Sequence, residues 1–343
     1  MAAGERTNRF ELSISVVIVA YDSGAALERC LGSVRDGEPE AEVIVVDNAG
    51  SDRAVAEPFD VRLVEPGRNL GFAGGCNRGA AEANGDVLVF LNPDTVVDPG
   101  ALTRLAETLQ DPSIGIAMAR LRLLDRPELL NSAGTVLHLS GLAWAGRYGE
   151  PAEEVRELED VPAPSGAAMA VRRNLLNELG GFTEELFMYL EDTELGWRAR
   201  LHGLRVVVDP RADVYHEYEF GRNPGKVELL ERNREIFVLT AYSLRLLLLL
   251  GPVLVATELS MLTVAAKQQW FGGKLGGWWW CMSHARWLLR HRQATQRLRR
   301  VGDREVAPFL TAVLDPGMLQ LPRAARVANA LTAAYWGLVR RAL

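Results

Sequence analysis

Short β-branched apolar runs recur along the first 120 residues, each closed by a polar turn and followed by a segment with helical spacing. The runs are residues 13–20 (SISVVIVA), 42–46 (EVIVV), 61–64, 86–91 (DVLVFL) and 114–121. Runs this short, with so little polar alternation, read as strands buried on both faces. Between them, residues 25–34 put Leu27, Leu31 and Val34 on one helical face. Residues 72–83 form a small-residue helix closed by Asn84-Gly85, and residues 99–109 a helix with Pro near its first position. This alternation predicts a doubly wound α/β sheet. Such sheets bind ligands at the carboxyl ends of their strands. The polar clusters Tyr21-Asp22, Asp47-Asn48 and Asn92-Pro93-Asp94 all fall there.

The rest of the chain is less regular. Residues 131–148 are Gly-rich and read as a hairpin or insert; 150–160 are strongly acidic and read as a mobile loop. Residues 165–171 predict a strand, 172–179 a helix ended by Gly180-Gly181, 191–201 a helix, 205–208 a strand and 224–242 a long polar helix. Residues 244–266 are apolar, but Glu258 interrupts them, leaving twelve uncharged residues (246–257) where a clean membrane span needs about 20. A Trp-rich stretch (270–287) and seven arginines between Arg286 and Arg304 follow.

Charge divides along the same line. The net −6 conceals +10 from residue 244 onward and −16 before it, and six of the eight tryptophans lie in the basic part. Trp at headgroup level with Arg toward anionic lipid is the composition of a membrane-surface segment. The expected organisation is therefore a catalytic domain over 1–223 and a helical, membrane-associating C-terminal region over 224–343. Three widely spaced cysteines without a CxxC pair, and an N-terminus without an apolar leader, predict a reduced, cytosolic setting. The acidic body argues against a nucleic-acid partner.

Asp22, Asp47 and Asp94 close three strands of the predicted sheet. Any one alone is as well explained by the turn preference of Asp. Gathered at one edge they repel one another, which calls for a nucleoside hydrogen bond or a divalent cation bridging carboxylate and diphosphate.

Five blocks in order carry a family resemblance: SVVIVAYDSGAALERCLGSV, VIVVDNAGSD, NLGFAGGCNRGAAEANGDVLVFLNPDTVVDPGAL, SGAAMAVRR and GGFTEELFMYLEDTELGWRARLHGLRVVVDP. Together they resemble a family 2 inverting glycosyltransferase with a GT-A fold. The resemblance implies that Ala20, Tyr21, Asp22 and Asp47 hold the nucleotide, with Asn69, Gly71, Gly75, Asn77 and Asn92 lining the nucleotide–sugar cleft. Asn92-Pro93-Asp94 stands where the family has a DxD motif, so Asp94 becomes the main carboxylate on Mg2+ or Mn2+, and His216 matches a position that supplies a further metal ligand. A surface loop histidine explains His216 equally well. Asp192, at the start of the helix over 191–201, matches the catalytic base, with Glu191 second. Gly166, Ala167, Glu191 and Trp197 are placed on the acceptor side.

The expected activity is transfer of one sugar from a nucleotide sugar to a glycan or polyprenyl-linked acceptor of the cell envelope, rhamnosyl transfer being frequent in such relatives. The expected location is the cytoplasmic face of the cell membrane, and homo-oligomerisation stays open. Gly196-Trp197-Arg198 is not the Gln-x-x-Arg-Trp motif of processive members, which argues against a polymer synthase. Two rivals remain. A degenerate GT-A protein could act as a membrane-tethered subunit. A nucleotidyltransferase would want a basic Gly-rich loop after the first strand, where this chain has Tyr21-Asp22-Ser23-Gly24.

Overall fold

The computed structural model describes residues 12–217, 225–316 and 323–343. Residues 1–11, on which the N-terminal expectation rests, and the expected boundary at 223/224 lie outside the described residues. The first half runs β1 (Ile14–Ala20), α1 (Ala25–Gly37), β2 (Glu42–Asp47), α2 (Arg53–Ala56), β3 (Arg62–Val64), α3 (Gly71–Glu82), β4 (Val87–Leu91), β5 (Thr95–Val97), α4 (Ala101–Thr108) and β6 (Ile114–Leu123). Next come β7 (Leu130–Ser132), β8 (Thr135–His138), β9 (Ala143–Ala145), β10 (Glu159–Asp160), β11 (Ala168–Arg172), α5 (Arg173–Leu179), α6 (Glu191–Leu201) and β12 (Arg205–His216). The C-terminal part is α7 (Lys226–Ala241), α8 (Leu244–Lys267), α9 (Phe271–Ser283), α10 (Ala285–Arg297), α11 (Asp303–Val306), β13 (Leu310–Thr311) and α12 (Arg323–Ala342).

The main sheet has the order β10-β12-β6-β11-β4-β1-β2-β3. Strands β3, β2, β1 and β4 are parallel, while β11 runs antiparallel between β4 and β6, so the sheet is mixed. β1, β2 and β4 are buried almost throughout because helices cover both faces, which is why their sequences are apolar without alternation. The register sets the functional edge. Ala20 lies opposite Asp47, and Leu91 opposite both Ile18 and Ala168. The turns after β1, β2 and β4 and the turn before β11 therefore share one edge.

Two expectations change. The acidic stretch 150–160 is pinned rather than loose: Arg147 pairs with Glu150, Glu154 and Glu159, Asp160 pairs with Arg200 and Arg205, and β10 joins β12. Its excess charge is answered by arginines, two of them distant in sequence. The strand expected over 205–208 continues to His216 through a bulge between Asp209 and Asp213. Beyond the bulge it pairs with β5, a strand that the Asn92-Pro93-Asp94 stop conceals.

The two regions share a core. Trp197 and Leu201 of α6 pack with Phe237, Tyr242, Leu246, Val306 and Trp336 of the C-terminal part, and β13 adds a strand to β8. Ser243 caps α8, accepting from Leu246 N at 2.9 Å. Helix α8 buries only Leu246, Leu250 and Ala265, and leaves Leu244, Leu248, Val255 and Leu259 exposed.

Candidate functional site

The turn after β2 is shaped by two aspartates. Asp47 is 1% exposed, and its oxygens accept from Ala49 N (3.2 Å), Gly50 N (2.8 Å) and Asp52 N (2.8 Å). Asp52 in turn accepts from Ser23 N and Gly24 N, tying the first turn to the second. The carboxylate expected to meet a nucleobase thus first builds the loop. Ala20 is fully buried and its carbonyl accepts from Asn48 N, whereas Tyr21 and Asp22 are exposed, Asp22 at a φ of 52°.

Helix α3 lies tight against this edge. A side chain at Gly71 would begin 2.4 Å from the Phe187 carbonyl, and its φ is 71°; only glycine fits. At Gly75 the Cβ would sit 2.6 Å from Val19, so the glycine serves the approach of α3 to β1 rather than approach to a ligand. Asn77 turns away too, bonding both backbone groups of Phe182 and the Glu184 carboxylate. Asn69 caps its own turn through Gly71 N.

Asp94 and His216, far apart in sequence, meet because His216 pairs with Thr95 across β5 and β12. His216 Nε2 lies 3.2 Å from Asp94 Oδ1. Asn131 Oδ1, 3.0 Å from His216 Nδ1, can only accept, so Nδ1 carries a proton and Nε2 faces the carboxylate. Asp94 Oδ1 is buried and accepts no hydrogen bond among the described residues. A carboxylate oxygen and a ring nitrogen converging this way, with the ring oriented from behind, fit the donor set for a divalent cation.

Asp192 lies along the same edge. Its Oδ2 accepts from Gly166 N at 2.7 Å, its Oδ1 from Thr193 N at 2.5 Å, and the next carbonyl, of Ala167, accepts from Asn92 N. Of the eleven residues of α6 Asp192 alone is half-buried, and the other ten are buried. Burial pushes its carboxyl above the ordinary aspartate range, against the N–H bonds, which favour the charged form. Glu191 is 5% exposed with Oε2 unpartnered among the described residues; burial, then the neighbouring Asp192, push it up strongly. It does not line an acceptor surface.

Trp197 corrects the acceptor-side expectation outright. It is fully buried against Phe237 and Tyr242. Five residues along a helix carry it about 140° around the axis from Asp192. Arg198 likewise packs inward, pairing with Glu194 at 2.7 Å. Burial would raise the Glu194 carboxyl, but Arg198 and then His291 bring it down to about 2. Gly166 faces the site, its Cβ position 3.1 Å from Phe72 and 3.4 Å from Asp192 Oδ2, while Ala167 is buried. A cavity of about 360 Å3 lined by Asn77, Glu184, Trp287, His291 and Thr295 contains neither Asp94 nor Asp192.

Sequence reasoning named Asn48 only as part of a polar cluster, without a role, and missed Asp52 and Asn131. The first two lie inside the VIVVDNAGSD block and could have been weighed with Asp47. Asn131 carries no local signal, since its partner is 85 residues away.

A second acidic group, Glu231, Glu235 and Glu258, also gathers ligand-like oxygens, but the Lys274 ammonium sits among all three at hydrogen-bond distance. That position is already filled by a cation of the chain itself.

Residues 15–180 match the Glycosyl transferase family 2 pattern. An N-acetylglucosaminyl-diphospho-decaprenol L-rhamnosyltransferase of Mycobacterium tuberculosis is 30% identical over 246 residues, covering 62% of this chain and 78% of the relative. Among solved structures, a mannosyltransferase of Pyrobaculum calidifontis in complex with GDP-Man and Mn2+ is 16% identical, with a TM-score of 0.50 over 97% of this chain and 87% of that one. GalNAc-T7 with UDP, GalNAc and Mn2+ is 21% identical, with a TM-score of 0.57 over 68% of this chain and 48% of that one. The structural likenesses speak for the GT-A fold. The identity to the rhamnosyltransferase speaks for descent, and with the family pattern over residues 15–180 it makes this chain a glycosyltransferase of family 2.

Proposed function

We propose that this enzyme transfers one glycosyl unit, with inversion, from a nucleotide-diphosphate sugar to a saccharide carried on a polyprenyl diphosphate. The observation that carries the reading is the edge itself. One open carboxylate, Asp192, stands in a chain of backbone contacts through Gly166, Ala167 and Asn92 to the Asp94–His216 pair. Asp192 takes the proton from the attacking acceptor hydroxyl, and the Gly166 and Thr193 N–H groups hold the carboxylate in place. Exposed Tyr21 and Asp22 face the nucleotide, and the Asp47–Asp52 loop gives that face its shape. Asp94 and His216 would hold Mg2+ or Mn2+, which supplies charge neutralisation for the departing nucleoside diphosphate. Mn2+ in the two solved relatives, and a lipid diphosphate in the rhamnosyltransferase's name, support these choices.

The region from residue 224 onward would place this site at the cytoplasmic face of the membrane. Leu244, Leu248, Val255 and Leu259 on α8, with Trp279 and Met282 on α9, form exposed apolar surface, and Arg286, Arg290 and Arg297 lie nearby in sequence. Glu258 ties α8 to Arg234, Lys274 and Trp278, and Tyr335 donates to the Leu249 carbonyl. A crossing α8 would have to carry Glu258 with Arg234 and Lys274 into the bilayer, where such charges are costly. The reading is a helix that lies on the membrane surface, its outer face in the lipid.

The test is a transfer assay with UDP-, GDP- and dTDP-sugars and an N-acetylglucosaminyl-diphospho-polyprenol acceptor. One added sugar of inverted anomeric configuration, suppressed by EDTA and restored by Mn2+, is the expected result. Pyrophosphate release would turn the reading to a nucleotidyltransferase. Nucleoside-diphosphate binding without turnover of any donor would turn it to a degenerate subunit.

A further inference from the structure

The segment leading into α6 holds a backbone shape that its side chains resist. Phe187, Tyr189 and Leu190 have φ of 63°, 71° and 66°. In that left-handed region a Cβ crowds the backbone, and none of the three is Gly, Asn or Asp, the residues that tolerate it. The conformation must be imposed by the surroundings.

The imposing group comes from α7. Asn233 is fully buried, and its Nδ2 lies 2.8 Å from the carbonyl of Leu186, 2.9 Å from that of Met188 and 2.7 Å from that of Tyr189. Arg232 adds bonds to the carbonyls of Glu185 (2.9 Å) and Leu186 (3.1 Å). The same guanidinium donates to Asn233 Oδ1 at 3.0 and 2.8 Å, which fixes the amide with its NH2 toward the loop. The loop passes the constraint on. The Leu190 carbonyl accepts from Glu194 N in the first turn of α6, and the Phe187 carbonyl accepts from Ala73 N at the start of α3. The amide thus holds the carbonyls of Leu186, Met188 and Tyr189, and the Phe187 and Leu190 carbonyls that alternate with them are left to bond α3 on one side and, on the other, the first turn of α6, where Asp192 stands.

We infer that Asn233 is a positioning residue for glycosyl transfer, clamping the segment 187–190, with its three positive-φ residues, so that Asp192 faces the cleft. The inference rests on the reading of Asp192 as the base. It assigns part of the catalytic arrangement to α7, outside the 15–180 stretch that carries the family match.

Asn233→Asp is nearly isosteric but removes the donors, Asn233→Ala removes the amide, and Asn233→Gln restores it one methylene further out. Full-length variants are read by amide exchange at residues 186–188 and by kinetics. For the Asp and Ala variants, exchange there should quicken about tenfold while strands β1 and β4 stay protected. Their kcat should fall about 100-fold with donor KM held within about twofold, the effect of a reacting group displaced by about an ångström. The Gln variant should recover part of both. Unchanged exchange at 186–188, or kcat within about twofold of wild type, overturns the inference. If Asn233→Asp does not fold, Arg232→Ala carries the same test, with faster exchange at 186–188 expected and unchanged exchange contradicting. Should Asp192→Asn transfer normally while Asn233→Asp loosens the loop, the base assignment fails and the clamp survives. A dead Asp192→Asn beside a fully active Asn233→Asp means that the base assignment survives and the clamp fails.

Discussion

Two groups of buried or half-buried carboxylates in this molecule differ in how their charge is answered. Glu231, Glu235 and Glu258 surround Lys274, which is fully buried, and Arg234 pairs with two of them. Asp94, Glu191 and Asp192 have no Lys or Arg partner among the described residues, and Asp94 Oδ1 and Glu191 Oε2 accept no hydrogen bond there. A buried charge needs a partner or a changed protonation state. The helical group carries its partner in the chain and holds α7, α8 and α9 together. The second group has only the His216 ring beside Asp94 and backbone N–H groups on Asp192, and leaves the rest of its charge to be answered from outside, by a cation, a proton or a substrate. Acidity alone marks neither; the presence or absence of a built-in counter-ion separates a structural cluster from a candidate active site.

The comparison breaks or holds on paired substitutions. The largest effect is expected at Asp192→Asn, which should lower kcat by about 100- to 10,000-fold. Its melting temperature at neutral pH should be no lower than wild type, because the raised folded-state pKa means the ionised form already costs stability there. Lys274→Met should do the reverse. It leaves three carboxylates without their ammonium and should cost about 3–5 kcal/mol of stability by denaturant titration. Asn131→Ala frees the His216 ring and should weaken Mn2+ activation by about 10- to 100-fold, with folding intact.

The smallest test uses pH. As the proposed base, Asp192 has to be ionised to accept a proton, so on that reading kcat/KM should fall as pH drops through a value above the ordinary aspartate range. Glu194 is depressed to about 2, so its contribution to stability is present above the unfolded value of about 4.5 and is lost only as pH falls toward about 2. Activity should therefore fail at higher pH than the circular dichroism signal of the fold. Coincident loss of both would mean that the limb reports unfolding.

Much of the sheet was readable because β1, β2 and β4 are covered on both faces and must be apolar along their length. The edge that collects ligands followed from that reading, and the resemblance pointed to Asp94, His216 and Asp192. Contacts between distant residues were not legible. The β5–β12 pairing that joins Asp94 to His216 spans more than 100 residues, and neither partner shows it locally. Trp197 was placed on the acceptor side because it follows Asp192 by one to two helical turns. Its burial is decided by Phe237 and Tyr242, in a region read as a separate membrane-placing part. The same shared core bears on truncation. Removing everything after Tyr242 would take Lys274, His291 and Trp336 from the fold, so lipid binding is better tested by Leu248→Glu with Leu259→Glu on the exposed face of α8. That pair should abolish flotation with anionic vesicles and leave the melting temperature within a few degrees.

The central claim is that the strand-edge carboxylates, and not the helical ones, are the group answered from outside. Calorimetric titration of Mn2+ into the full chain with UDP present, compared across wild type, Asp94→Ala with His216→Ala, and Glu235→Gln, tests it most directly. One ion per chain, lost in the first variant and kept in the second, is the predicted result. Binding that survives loss of Asp94 and His216, or that disappears with Glu235, would contradict the account.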